Sequence, residues 1–543
     1  MKPGYRSAIA EHLRAHGDAV GAEHRFIEAL TADLHDADLN VLAADPRIES
    51  VSVDATVGAH ASPNPDADLL RGTLGVTATG PTGAGVGIAL IDSGIEPSVG
   101  LSGRVTAFYD FTQGGIIHRS AYDDYGHGTH LAVAMGGDGL LEGSYKGVAP
   151  GVKFVGLKVL DSKGHGQTSD VIRAVEFATA NKAALGIDII NLSLGHPIYE
   201  SAATDPLVQA VEEAVRAGII VVASAGNFGG RRDTGAAAYG GITSPGNAPS
   251  AITVGAFKVN DTLSRSDDRI AAYSSRGPSW YDGFAKPDIV APGHRLFSAA
   301  ATHGQLYVDY PSLRSGSKGA RLSGSSMAAG VVSAVVALVL EANRVANAGR
   351  YICAAAPPLT PNAVKAILQF TALRMHDDSG AEYDSLTQGA GAVNAAGAIS
   401  LAQAVDISAP TGSWWLVNGI VPATAIAGET LTWAQNIIWG TNVVWGAAAY
   451  SNEPAWATNI VWGTNITWGT NIVWGTNVVW GTNIVWGTNI VWGTTFIGRS
   501  DGTNIVWGTT ADPATIVWRR LDSEDTLGGA NILWGTLVGT SLQ

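Results

Sequence analysis

Between Gly72 and about Ala404, short apolar runs rich in β-branched residues alternate with amphipathic helical stretches. The runs are VGIALID, KFVGLKVL, DIINLSL, IIVVASAGN and AITVGA; stretches such as DVIRAVEFATANKA and PLVQAVEEAVRAG separate them. A strand that is apolar at nearly every position needs cover on both faces, and a helix between successive strands supplies a parallel crossover. The pattern predicts the α/β class, a doubly wound, mostly parallel sheet with helices on both faces. Composition agrees, because 46% hydrophobic and 15% charged residues suit a packed interior and exclude disorder. A net charge of -14 with no Lys/Arg-rich run excludes nucleic acid as a natural partner. The lone Cys353 permits neither an intramolecular disulfide nor a CxxC zinc site. The longest apolar stretch, Val331 to Leu340, is about half the length that spans a bilayer, so no membrane span is expected.

Three segments in this region carry chemistry. VGIALIDSG ends a buried strand in Asp92, and the carboxyl ends of parallel strands face the ligand crevice. Alone, an Asp before Ser-Gly equally describes a turn. DDYGHGTHLAVAMGG sets His127 between two glycines, where the backbone can approach a substrate and an imidazole can act as a general base. His130, three residues on, competes for that role. LSGSSMAAGVVSAVVALVLEAN is a Gly-Ser turn opening a long apolar helix. A serine there faces unpaired N–H groups and the positive helix end, which favours an attacking oxygen and a developing oxyanion, although a plain N-cap serine reads the same way.

The order of the segments decides among these readings. ALIDSGIEP, DYGHGTH, YKGVAPGVKFVGLKVL, IINLSLG, VVASAGN, YSSRGP, KPDIVAPG, LSGSSMA and QGAGAVNAAGAI follow one another from Gly72 to Ala404, and together they resemble subtilisin-like serine peptidases. The resemblance implies Asp92, His127 and Ser326 as an Asp-His-Ser triad, with His130 and Ser325 as non-catalytic neighbours and Asn227 as an oxyanion donor. It further implies that Ser193, Leu194 and Gly195 offer a strand to the substrate. With Ala225 and Gly226 they would wall the pocket for the side chain before the cut, where an apolar or aromatic residue is expected. Two positions depart from the family. Gly330 stands where a proline usually opens the helix, which should loosen its start, and Val133 replaces a small residue, which should crowd the helix against a neighbour. No cofactor is required for such chemistry. Structural calcium is a family expectation without assignable ligands, the pairs Asp123–Asp124 and Asp267–Asp268 reading better as solvated turns.

The flanks differ in character. Residues 1–70 carry a helix-like stretch at Ser7–His16, alternation at Phe26–Leu34 and a second strand-like alternation at the end of VLAADPRIESVSVDATV. FIEALTADLHDADLNVLAADPRIESVSVD resembles the carboxyl half of the family's inhibitory propeptide, so the chain is expected to be a self-processed precursor cut between about Asp54 and Leu70. The amino terminus has no apolar core of a secretory signal; the expectation is a secreted protein whose true start lies upstream of Met1. The peptidase domain is placed at 71–405, a linker at 406–430 and a repeat region at 431–543. In the last, Trp462, Trp468, Trp474, Trp480, Trp486 and Trp492 recur every six residues in units close to GTNIVW. An even period puts successive tryptophans on one strand face, so the array should be all-β, as a hexapeptide solenoid or a meander of short strands. Stacked aromatics, a cell-surface ligand face and self-association are its three candidate roles. Polypeptide substrates and the chain's own propeptide are the expected partners.

Overall fold

The computed structural model describes residues 1–35, 39, 41–42, 44–52, 54, 56–59, 62–63, 70–97, 100–141, 145–230, 236–348, 358–406, 416–417, 419–439, 442–446, 466–469, 490–491, 505–508 and 532–535. Helix α1 (Arg6–His16) packs on a hairpin of β1 (Ala19–His24) and β2 (Ala29–Asp33). Ile9 and Leu13 of α1 and Leu42 form its small apolar core. β2 falls inside the expected strand at 26–34, whereas β1 carries only a half-buried pattern and gives no apolar alternation to read. The alternation ending near Val57 becomes a strand only at its last residues, β3 (Thr56–Ala59), followed by β4 (Ser62–Pro63).

The α/β region then runs through β5 (Gly87–Asp92), β6 (Val105–Asp110), helix α2 (His127–Gly136), β7 (Lys153–Lys158), a short strand β8 (His165–Gln167) that pairs with β3 outside the main sheet, and helix α3 (Thr168–Ala180). There follow β9 (Ile189–Leu192), β10 (Leu194–Pro197), helix α4 (Pro206–Arg216), β11 (Ile220–Ser224), β12 (Thr243–Ser244), β13 (Ile252–Lys258) and β14 (Ile289–Pro292). The strands lie in the order β14-β13-β11-β9-β5-β7-β6, and each of these neighbours pairs in parallel. From β5 the chain winds first toward β6 and then back toward β14. The ends of β5 and β9 therefore flank a switch point, where a ligand crevice opens.

Alternation along the strands sorts side chains into two cores. Ile88 and Leu90 of β5, with Ile220 and Val222 of β11, face one; Ala89 and Ile91, with Val221 and Ala223, face the other. The second core is closed by α3 and α4. α4 starts where Asp205 accepts from the N–H groups of Leu207 and Val208 with Pro206 in the first turn, as capping rules lead one to expect. The first core is closed by α2 and by α5 (Ser325–Asn347), which follows strand β15 (Gly319–Ser323), together with α6 (Pro361–Phe370) and α7 (Ala395–Ala404). By length and apolarity α5 would pass for a membrane span, contrary to the expectation from the shorter run at 331–340, but 94% of its most apolar window is buried within the protein. It is the central core helix.

Beyond α7 the chain returns to the domain as a hairpin of β16 (Ala423–Ile426) and β17 (Glu429–Thr432). Trp433 keeps the six-residue spacing of the array, yet it is buried against Phe370, and its indole N–H donates to Thr424 Oγ1 at 2.7 Å. Most of the array lies outside the described residues, as does Cys353. Where strands are described, Asn436–Trp439 and Asn442–Gly446 form an antiparallel pair. Later units pair in parallel and in register, with Trp445 opposite Trp468 and Trp507 opposite Trp534.

Candidate active site

Asp92 is the last residue of β5 and shares the strand face of Ile88 and Leu90, so its carboxylate points toward α2 and α5. His127 opens α2 and is fully buried; its Nδ1 donates to Asp92 Oδ1 at 2.8 Å. The Ser93 N–H fixes the same carboxylate oxygen at 2.7 Å. This pairing holds the imidazole with Nε2 turned the other way, buried and with no hydrogen-bond partner, as is Asp92 Oδ2. Close contact is built into the loop: a Cβ on Gly128 would lie 2.2 Å from the Gly94 carbonyl oxygen, so only glycine lets α2 start this near β5.

Ser326 stands in the first turn of α5 and its Oγ donates to the Ser193 carbonyl at 2.9 Å. Ser193 Oγ in turn bonds Asn191 Oδ1 and the Ser326 carbonyl, both at 2.9 Å, and Asn191 Nδ2 donates to Ser333 Oγ of α5. The helix that carries Ser326 is thereby laced to β9. Asn227 Oδ1 accepts from the Ser325 N–H at 2.9 Å, which leaves the amide Nδ2 as that side chain's donor. Ser325 Oγ accepts from the Gly226 N–H at 3.1 Å, so Ser325 braces the 225–227 loop against the helix. His130 lies one turn along α2; its Nε2 donates to the carbonyls of Leu296 and Ala320, and burial drives its pKa down to about 3. A histidine neutral over that range and bonded to backbone serves packing.

Ser193, Leu194 and Gly195 run along the end of β9 into β10, opposite Ala225 and Gly226. Between the two segments stands Thr243 of β12, which the motifs do not mark. A Cβ on Gly195 would meet Thr243 Oγ1 at 3.0 Å and one on Gly226 would meet Thr243 Cγ2 at 2.9 Å. Thr243 therefore packs between Gly195 and Gly226. β3 lies antiparallel between the two edges: Gly58 pairs with His165 of β8 on one side and Gly195 of β10 on the other. β4 then pairs with β15, placing Ser62 opposite Ser323, three residues before Ser326.

The departures have packing explanations. α5 is continuous from Ser325, and Gly330 sits where α2 crosses it, a Cβ there falling 3.0 Å from Leu131 Cδ2. Val133 is fully buried, within reach of Gly100 and Gly137. The acidic pairs are not solvated turns. Asp123 and Asp268 are buried, the first held by N–H and O–H donors and the second paired with Arg265 at 2.6 Å. Asp268 Oδ1 is buried without a hydrogen-bond partner, and no cluster of three or more His, Cys, Asp or Glu side chains suited to a metal occurs among the described residues.

The switch point of the parallel sheet thus carries a buried Asp–His pair at the end of β5 and, at the start of α5, a serine bonded to the end of β9. The chain belongs to the subtilase family, whose model it matches over residues 83–394. Serine protease AprX of Bacillus subtilis is 38% identical over 320 residues, covering 58% of this chain and 66% of that protein. Subtilisin E of the same organism is 32% identical over 328 residues, covering 60% of this chain and 74% of the other. The chain thus spans just under two thirds of AprX. Among solved structures, fervidolysin from Fervidobacterium pennivorans, a keratinolytic enzyme related to subtilisin, shares the fold with a TM-score of 0.55. It is 21% identical, over 73% of this chain and 59% of that one.

Proposed function

We propose that this chain is a secreted serine endopeptidase, made as a precursor, that hydrolyses polypeptides through an acyl-enzyme and cuts its own chain between Ala59 and Ser62. In this reading the propeptide-like segment expected at 1–70 is released up to that cut, 71–405 are the peptidase, 406–430 a linker and 431–543 an appended surface or self-association module. The observation that carries it is the path of β3 and β4, which run through the cleft as a substrate would and straddle the level of Ser326. Ser326 Oγ attacks the carbonyl while His127 Nε2 takes its proton and later delivers it to the leaving amine; Asp92 holds the tautomer and stabilises the imidazolium. The Asn227 Nδ2 and the Ser326 N–H meet the oxyanion. Attack requires the Ser326 hydroxyl to turn from the Ser193 carbonyl toward His127, a rotation about one side-chain bond.

The N-terminal unit fits an inhibitor that precedes cleavage. It adds a strand to both edges of the cleft, and its His24 Nδ1 meets Glu176 Oε2 of α3 at 3.2 Å. A fluorophosphonate probe tests the chemistry: the propeptide-free protein should label at Ser326 and the Ser326→Ala chain should not, and absence of label on the former overturns the reading. Amino-terminal sequencing of the processed protein tests the cut. A new terminus at residues 60 to 62 is expected, and one beyond Leu70 would contradict it.

A further inference from the structure

Asp123 has no part in the chemistry above, yet it is buried beside it with five donors on one carboxylate. Its Oδ1 accepts from Ser93 Oγ at 3.0 Å, the Gly126 N–H at 2.7 Å and the Tyr125 N–H at 3.2 Å. Its Oδ2 accepts from the Thr129 N–H at 2.8 Å and Thr129 Oγ1 at 2.6 Å. Two of these partners reach further: Ser93 Oγ accepts from the Gly128 N–H at 3.0 Å, and Thr129 Oγ1 accepts from the Glu96 N–H at 2.9 Å. The carboxylate thus joins the residue after Asp92 to the residues on both sides of His127. Gly126, at the N-cap of α2, has no side chain with which to cap it, and Asp123 and Ser93 supply acceptors to its first turn instead.

We infer that Asp123 is a positioning residue for His127, fixing the start of α2 against the end of β5 and placing a second negative charge at the helix end that carries the base. The inference rests on the peptidase reading above. Burial raises the Asp123 pKa, opposed by the hydrogen bonds from Thr129 and Gly126 and by the Lys158 charge; the three backbone N–H partners can only donate and so favour the carboxylate form. A histidine in the first turn of a helix faces the positive end of its dipole, which disfavours imidazolium. An anion on the same turn opposes that effect. Other charged or titratable groups around this corner are Asp92 on β5 and Lys158 on β7. Lys158 Nζ donates to the Ser93 carbonyl and to Asp124 Oδ1. Asp124 and Tyr125 lie on the loop, His130 on α2, and Asp161 and Tyr310 near the Tyr125 ring.

The test is Asp123→Asn in the processed full-length enzyme, with activity expressed per site titrated by fluorophosphonate. kcat should fall by about 10²-fold, the order seen for small misplacements of catalytic groups, and the acid limb of kcat/KM should move to lower pH because an anion near His127 is gone. Ser93→Ala and Thr129→Val each remove one hydroxyl and its two hydrogen bonds and keep the charge, so kcat should fall at least about 5-fold with the limb unmoved. An unmoved limb in Asp123→Asn, or kcat per site within twofold of the parent, overturns the inference. If Asp123→Asn does not accumulate, unchanged kcat in both hydroxyl variants overturns it instead. A parent enzyme that fails to label removes the peptidase reading itself, which separates the two failures.

Discussion

The carboxylate of Asp54 accepts a hydrogen bond from the Ser169 N–H at 2.8 Å. α3 has no side-chain cap of its own, Gln167 standing at its N-cap, so a residue just before β3 supplies from outside the acceptor that the first turn lacks. In the uncleaved Ser326→Ala chain, Asp54→Ala should raise hydrogen exchange of the Ser169 amide about 5-fold, the order for a lost cap. Unchanged exchange would show that the contact contributes nothing to docking.

Asn227 is oriented by its own Oδ1, which the Ser325 N–H holds. Asn227→Ala should lower kcat by ~10²–10³ with little change in KM, because in the proposed mechanism its donor meets charge that exists only in the transition state. Steady-state kinetics on a chromogenic peptide separates the two parameters. A rise in KM with kcat retained would make it a ground-state contact.

Thr243 fills the space between Gly195 and Gly226. A shallow pocket should favour small over aromatic residues before the cut, narrowing the expectation drawn from the motifs alone. Thr243→Gly should raise the Phe-to-Ala ratio of kcat/KM about 10-fold or more, the worth of one or two carbons of hydrophobic pocket. A peptide series varied at that one position measures it.

Two histidines, His130 buried and His294 half-buried, tie stability to pH. His130 is lowered to about 3 by burial and His294 to about 4 by burial with Lys258 and Arg295 nearby. Both bind protons more readily when unfolded, near pH 6.5, so their contribution is complete above that value and is lost as pH falls toward 4. Asp268, raised to about 7 by burial, acts in the opposite sense, losing stability as pH rises from about 4 to 7. Urea unfolding of the Ser326→Ala chain from pH 4.5 to 7 should show the dependence. His130→Gln keeps a donor for the Leu296 carbonyl and should reduce the slope by up to about 1.4 kcal/mol per pH unit; an unaltered slope would refute burial as the cause.

Much of this was legible before any coordinates. Strands apolar on both faces read directly as a covered parallel sheet, and Asp92, His127, Asn227 and Ser326 lie in short segments whose order names the family. What escaped depends on contacts distant in sequence. Thr243 is 17 residues from Gly226 and sits in no motif; its role comes from β12 lying beside β10. Asp123 reads as a solvated acidic pair with Asp124 because nothing local says that Ser93 will arrive beside it. β3 shows as a strand only at its end because its partners belong to the peptidase, not to the unit that carries it.

The slot between β8 and β10 is one strand wide. Whatever lies there, as β3 does, must be straight for about three residues and must have peptide groups on both of its edges unclaimed. A helix fails the first condition and a strand inside a sheet fails the second. If the chain cleaves polypeptides as proposed, such a groove selects a stretch of backbone already released from its own structure, so a folded target would be vulnerable only where a loop can be drawn flat, and the state of its fold would matter before any side chain is read.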